Sequence, residues 1–559
     1  MTGFIVISFI GLSILVAVLS SQFASEQEES PHSNNDYYWG GLKLSWPIIM
    51  ISLLVNHTTI QQLVMYNQQS FDLGYQSIVF MELITVVAMI VSALFILPKL
   101  IEANAKTIPE FIGARYDKST QHISAFLLVS AYIFVLLPLS LLMGSWALQG
   151  IFEPRLSSEY IVIGLGLSGG WYAFGGLRRL VISDGIYGSA FLIMTLLIPM
   201  LALFALGDGS LLVGLQLSLG IQSESFSGLT TNQWMLDTGF IPWDALLTGM
   251  FVLQLFLWSG EQVTLQRLMS SNGLATSQKA MLIGALSKII LSFLICLPAF
   301  FAIQMLGELS VTLYPEQLQQ AVQNLSGHQN LVSIEARDLA EQIIQSGATR
   351  ISLETAEALK PLGVSFGDQV YAALIRRLFP DWSIGMIAAV LFGLVISTFK
   401  SIVHSTVTLI LGELTDLNES SHNHLNTDQV TQVRLNASYI QKSKAVVLGK
   451  VLVALLTGFA IFLARYLGHS PSLLPYLQKV NGLWSVPLGI IFLVGLFNQK
   501  APASFAKLAI LISCGLYSFL SFYPIVYFIE LHWLQIYMVS FALGVSCLLL
   551  GAYFKPKTR

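Results

Sequence analysis

Apolar runs long enough to cross a bilayer recur along this chain. They lie near 2–21, 44–68, 76–100, 122–151, 158–176, 182–206, 244–268, 276–308, 382–413, 443–466, 476–497, 503–523 and 526–554, and are numbered TM0 to TM12. A helix of about 20 residues spans the hydrocarbon core, where every backbone polar group must be satisfied within the protein. Residues are 54% hydrophobic and only 11% charged, and mean hydropathy is +0.70. These values exclude a soluble enzyme and indicate a polytopic, all-α membrane protein. A net charge of -3 gives no sign of a nucleic-acid partner. The cysteines, Cys296, Cys514 and Cys547, sit inside apolar runs and imply no disulfide framework. TM0 lacks a basic n-region and an A-x-A site, so it reads as a retained helix rather than a signal peptide.

Lys and Arg set the expected orientation. The 2–3 connection holds Lys99, Lys106, Arg115 and Lys118, the 4–5 turn Arg178 and Arg179, and the 6–7 turn Arg267 and Lys279. The 8–9 loop ends in Arg434, Lys442 and Lys444, and the C-terminus is KPKTR, whereas loop 207–243 has no Lys or Arg. Every second loop is basic, which places the N-terminus outside and the C-terminus in the cytoplasm of a plasma (inner) membrane protein. Loop 22–42, acidic through Glu26, Glu28, Glu29 and Asp36, gives this no support, but acidic residues weigh little in the rule. The insertion 309–381 reads as short surface helices capping the outer face, and HNHLNTD in the 8–9 loop as a solvated loop without metal-ligand spacing.

TM1 is apolar at its start and then abruptly polar at Asn56, His57, Thr58, Thr59, Gln61 and Gln62. Polar groups at bilayer depth are costly unless they line a cavity or pair. A discontinuous helix, whose unwound turn offers carbonyls to an ion, accounts for the pattern. The alternative is a packed helix whose amides and hydroxyls bond across to neighbours.

Four further stretches stand out. TIPEFIGARYD, Thr107 to Asp117, reads as a capping-boxed helix with Glu110 three residues after Thr107. GGWYAFGGLRRLVISDGIYG permits a tight turn between TM4 and TM5, with Asp184 early in TM5. TM6 carries QLFLWSGEQVTLQR, and TM8 reads LFGLVISTFKSIVHSTVTLILGEL. In this order they resemble the sodium/solute symporter family, closest in its motifs to the sodium–galactose/glucose branch. TIPEFIGARYD is similar to TIPEF-x-x-x-R-[YF], and GGLRRLVISD to GG-[LM]-x-A-V-x-x-T-D. WSGEQVTLQRLMSS is similar to W-G-x-x-Q-x-x-x-Q-R-x-x-x-A, and ISTFKSIVHSTVTL to M-S-[ST]-x-x-S-x-x-x-S-x-[ST]-x-x. The match runs from about residue 45 to 500.

The resemblance implies an inverted-repeat core of five plus five helices with discontinuous TM1 and TM6. The expected organisation is 1–42 (extra helix and acidic loop), 43–206 (first repeat), 207–243 (external loop), 244–498 (second repeat, with insertion 309–381 and cytoplasmic loop 414–442) and 499–559 (two C-terminal helices and basic tail). It implies one sodium ion, the coupling ion, between the TM1 break and TM8. The matching positions are carbonyls of Val55, Thr58 and Leu394 and hydroxyls of Ser397 and Thr398. Such hydroxyls can instead back-bond to their own helix. Solute positions map to Gln62, Glu82, Gln254, Trp258, Lys288 and Gln478. Carboxylate, ammonium and amides together suit a neutral polyol, whose hydroxyls each donate and accept. Glu82 and Lys288 can alternatively form a purely structural ion pair. A second cation position maps to Asp184, Lys400 and Ser401, where the Lys400 ammonium is placed to act as a built-in cation, unless it snorkels or pairs near His404.

Departures from the branch are Leu257 for a pocket-closing aromatic, Gln254 for Asn, His57 for Asn and Gln61 for Glu. The leading reading is therefore a sodium-coupled symporter of a sugar or polyol, with a small-molecule solute and the lipid bilayer as partners. A homo-oligomer is compatible with it. An amino-acid or carboxylate solute would call for an Arg facing the anion, and the sequence reading places no unpaired Arg in a core span. A non-transporting sensor or a channel lacks its kinase or filter motif here.

Overall fold

Apolar composition drives helix formation throughout, and TM1 and TM6, where that composition fails, are the spans that break. The computed structural model describes residues 44–73, 76–103, 105–152, 157–220, 243–312, 334–348, 350–359, 369–414, 430–467, 473–523 and 531–554, plus scattered positions elsewhere. Nine unbroken helices among the described residues are long and apolar enough to cross a membrane: Ile78–Glu102, Lys118–Phe152, Gly176–Leu206, Leu274–Gln304, Trp382–Glu413, Val446–Leu467, Lys479–Phe497, Ala503–Phe522 and Trp533–Phe554. They correspond to TM2, TM3, TM5 and TM7 to TM12. TM4 is the shorter helix Ser158–Ala173.

TM1 consists of α1 (Trp46–His57) and α2 (Ile60–Leu73), with a bend of 60° between them. Thr58 leaves helical geometry at φ -94 and ψ 72. TM6 consists of α3 (Phe251–Gly260) and α4 (Gln262–Met269), parted by Glu261 in extended conformation at φ -85 and ψ 132. Each break falls in the first helix of its set of five, as an inverted-repeat core requires.

Small residues bring TM1, TM5 and TM8 together. A Cβ on Gly188 of TM5 would stand 2.5 Å from the Val55 side chain, and one on Gly393 of TM8 would stand 1.9 Å from Tyr187. Close backbone approach of this kind is open only to glycine, and it draws Asp184, one helical turn before Gly188, against both TM1 and TM8.

The helix Ile108–Arg115 has the expected Thr107–Glu110 capping box, with Pro109 at its second position. Arg115 donates to the carbonyls of Gly495 (3.2 Å), Ala501 (3.3 Å) and Asn498, and Lys99 donates to that of Leu496 (3.4 Å). Two cations thereby satisfy the carbonyls left open at the end of TM10. In the insertion 309–381, β1 (Ser310–Thr312) pairs antiparallel with β2 (Arg350–Ser352). The helix Val370–Leu378 is no surface helix: Val370 through Ile375 are all buried. Its apolar stripe is removed from water by packing against the core spans. TM0 is described only at scattered positions, and loop 22–42 (apart from Tyr38), the stretch 221–242 and HNHLNTD lie outside the described residues.

Candidate functional site

Unwinding at Thr58 and Thr59 turns α2 so that Gln62 and Tyr66, four residues apart, share one face. That face meets Glu82 of TM2 and Lys288 of TM7, both buried. Lys288 Nζ donates to Gln62 Oε1 (3.0 Å) and Thr58 Oγ1 (3.1 Å) and stands 3.6 Å from Glu82 Oε1. Gln62 Nε2 donates to Glu82 Oε1 at 2.8 Å, and the Tyr66 hydroxyl donates to the same oxygen. The other carboxylate oxygen, Glu82 Oε2, is buried without a hydrogen-bond partner among the described residues. A buried acceptor of this kind is costly unless something donates to it.

The structure thus brings together three of the expected solute residues, Gln62, Glu82 and Lys288, and adds Tyr66. Its spacing from Gln62 was the available signal. Gln254 instead contacts Met250 Sδ one turn back, at 3.9 Å. Trp258 is buried and stacks on His57, with ring centroids 3.9 Å apart at 25°. Gln478 lies in the TM10 helix Leu473–Phe497, and its side chain is outside the described residues.

Of the residues expected to hold sodium, Val55, Thr58, Leu394 and Ser397 are buried. Ser397 Oγ has no hydrogen-bond partner among the described residues, whereas Thr398 Oγ1 donates to Leu394 O at 3.3 Å, the back-bonding alternative. An unpaired buried hydroxyl is a neutral oxygen of the kind a small hard cation binds.

Below the break lies a second polar centre on Asp184, which is wholly buried. Its Oδ1 lies 2.8 Å from Lys400 Nζ. Its Oδ2 accepts from Ser52 Oγ (2.6 Å), Asn56 Nδ2 (2.9 Å) and Arg267 Nη2 (3.1 Å). Lys400 also donates to Ser183, so the sequence alternatives of snorkelling or pairing near His404 give way to Asp184. Ser401 accepts from Arg267 Nη2 at 2.5 Å and donates to Ser397 O at 2.5 Å.

Arg267, expected in the 6–7 turn, lies instead inside the core, where it is paired with Asp184. It is 1% exposed on α4, and its Nε donates to Ser52 Oγ (2.7 Å) and its Nη1 to Val263 O (2.9 Å). Burial is tolerable because a carboxylate and several acceptors meet the guanidinium at once. The half-helices α1 and α4 are in fact joined along their length. Leu44 N donates to Ser270 O at 3.1 Å, Ser52 meets Arg267, and His57 Nε2 lies 2.7 Å from Thr264 Oγ1.

A broken first helix in each set of five is the architecture of an ion-coupled carrier. The sodium:solute symporter family model matches residues 37–512. The chain belongs to this family. It is similar to the uncharacterised symporter YidK of Escherichia coli K12, at 26% identity over 99% of this chain and 84% of that protein. It is likewise similar to the sodium/glucose cotransporter of Vibrio parahaemolyticus, at 24% identity over 89% and 82%. Similarity to the sodium/myo-inositol cotransporter 2 of Sus scrofa is 23% over 74% of this chain and 56% of that one. Among solved structures, a sodium-coupled sialic acid symporter in a substrate-bound outward-open state shares the fold, with a TM-score of 0.71 over 98% of both chains at 14% identity. As a sodium:solute symporter the chain is a multi-pass membrane transporter rather than an enzyme, and sodium is its coupling ion.

Proposed function

We propose that this symporter imports a neutral, hydroxyl-rich solute, a sugar or a polyol, by alternating access across the plasma membrane, with the N-terminus outside and the C-terminus in the cytoplasm. The observation that carries the reading is the Gln62–Glu82–Lys288–Tyr66 cluster with its unpaired Glu82 Oε2. A solute hydroxyl donates to Oε2 and accepts from the Lys288 ammonium or the Gln62 amide in one contact. The groups neutralise each other when no solute is present, so the pocket needs no charge on its ligand. Similarity to sodium/glucose and sodium/myo-inositol cotransporters supports the same class. Trp258 and Gln254 on α3 and Gln478 on TM10 complete the solute contacts in this reading.

Sodium in this proposal binds at the TM1 break through the carbonyls of Val55, Thr58 and Leu394 and the hydroxyls of Ser397 and Thr398. With the ion in place, the unwound turn holds Thr58 where it accepts from Lys288 (3.1 Å), so ion and solute pockets share a residue. A carboxylate solute is favoured less, because Arg267 is engaged by Asp184, Ser52 and Ser401. The test is sodium-gradient-driven uptake into proteoliposomes across a panel of sugars, polyols and amino acids. Sodium-dependent uptake of a sugar or polyol is expected. Uptake confined to amino acids or carboxylates would reject the solute class.

A further inference from the structure

In a sodium carrier, a wholly buried carboxylate is the strongest cation ligand the chain can offer, and Asp184 is such a group. Both of its oxygens face groups of the protein, Oδ2 through hydrogen bonds and Oδ1 through its ion pair with Lys400 alone. Lys400 Nζ holds Oδ1 at 2.8 Å, while Ser52, Asn56 and Arg267 hold Oδ2 at 2.6, 2.9 and 3.1 Å. A carboxylate offers about four acceptor positions. The Lys400 ammonium is itself seated as a bound cation would be: it rests on a carboxylate oxygen, donates to the Ser183 hydroxyl and lies 5.2 Å from the centroid of the Tyr172 ring.

Neither cation can readily leave. Lys400 has no exposed surface, and Asp184 is the one carboxylate that pairs with it among the described residues. Arg267 is held independently by Ser52, Val263 O and Ser401. A sodium ion arriving at Asp184 would meet two like charges in a medium of low dielectric.

We propose that Lys400 is the resident cation of Asp184, that this carboxylate takes no sodium, and that one sodium ion accompanies each solute. The inference rests on the sodium-coupled reading above. Removing the ammonium while leaving Ser183, Asp184 and Ser401 in place vacates a cation-sized position with its oxygens intact, so the Lys400→Ala variant gains a sodium site.

Equilibrium binding of radioactive sodium to the purified full-length protein tests this without knowledge of the solute. One sodium per chain is expected for the wild type, two for Lys400→Ala, and one again for Lys400→Ala combined with Asp184→Asn. Two in the wild type would overturn the proposal while leaving sodium coupling intact. A monodisperse Lys400→Ala variant that still binds one would show that the ammonium is not what excludes a second ion, and would overturn the assignment. If that variant does not fold, the wild-type count decides alone. A wild type that binds none would overturn this proposal and the sodium site at the TM1 break together.

Discussion

Neutralising one member of the Glu82–Lys288 pair should damage the protein more than neutralising both. At 3.6 Å, an ion pair in an effective dielectric of about 20 attracts by roughly 4–5 kcal/mol. Desolvation of the two ions offsets much of that, so the pair as a whole adds little net stability. Removing one partner is different, because the survivor keeps its burial and loses its counter-ion. Lys288→Met leaves the Glu82 carboxylate with only the Gln62 amide and the Tyr66 hydroxyl, and is expected to cost about 3–5 kcal/mol. Glu82→Gln strands the ammonium between Gln62 and Thr58, at a similar cost. The double variant carries no buried ion and should recover most of the loss, giving a coupling of about 3 kcal/mol in the cycle. Denaturation of the four proteins in detergent measures it, with solute binding followed in parallel. Stability should return in the double variant while solute affinity does not. Strict additivity of the two single losses would refute the reasoning, since it would mean that the two charges do not sense each other.

Three other outcomes follow from the geometry. Ser397→Ala and Thr398→Ala should each raise the sodium concentration for half-maximal uptake more than they alter solute affinity at saturating sodium, and unchanged sodium activation in both would sink the site at the TM1 break. Tyr66→Phe removes a donor from a buried carboxylate and should weaken solute binding by about 1–3 kcal/mol, whereas wild-type affinity in a folded variant would remove Tyr66 from the pocket. At the start of TM3, the Lys507 ammonium (2.8 Å) and the Thr120 hydroxyl and backbone N–H hold the Asp117 carboxyl down to about 2 from 3.8. A depressed carboxyl stabilises the fold above its unfolded value and loses that contribution as pH falls towards about 2. The pair is solvent-screened and worth under about 1 kcal/mol, so Lys507→Ala should bring acid destabilisation on at slightly higher pH, and superimposable acid profiles would argue against the contact.

Glu82, Lys288 and Asp184 were legible because they fall on positions where the chain resembles the family, and a charge inside an apolar run demands a partner. Lys400 was legible for the same reason, helped by its place one helical turn from Ser397. Arg267 was not. The half-helix that carries it, QVTLQRLM, is so polar that it resembles the end of a span and the start of a loop, and only the break at Glu261 reveals that it belongs to the core. Tyr66 was hidden differently, since a tyrosine on an α2 face looks like packing until the bend at Thr58 turns it towards TM2. The helix Val370–Leu378 is amphipathic enough to lie on a surface, and its burial depends on which spans converge beneath it. Sequence spacing alone does not carry that information.

The bonds between α1 and α4 give the two broken spans a common mechanical fate. With Leu44 on Ser270 at the far end, Ser52 on Arg267 midway and His57 on Thr264 at the breaks, the half-helices behave as a laminated beam, not as two separate oars. Tilting one alone would shear all three joints together, whereas swinging both leaves them untouched. Trp258, stacked on His57, stands at the break end of this beam, so a load on the TM1 turn reaches both broken spans at once. The glue line between the two laminae thus sets the cost of moving either broken span without the other.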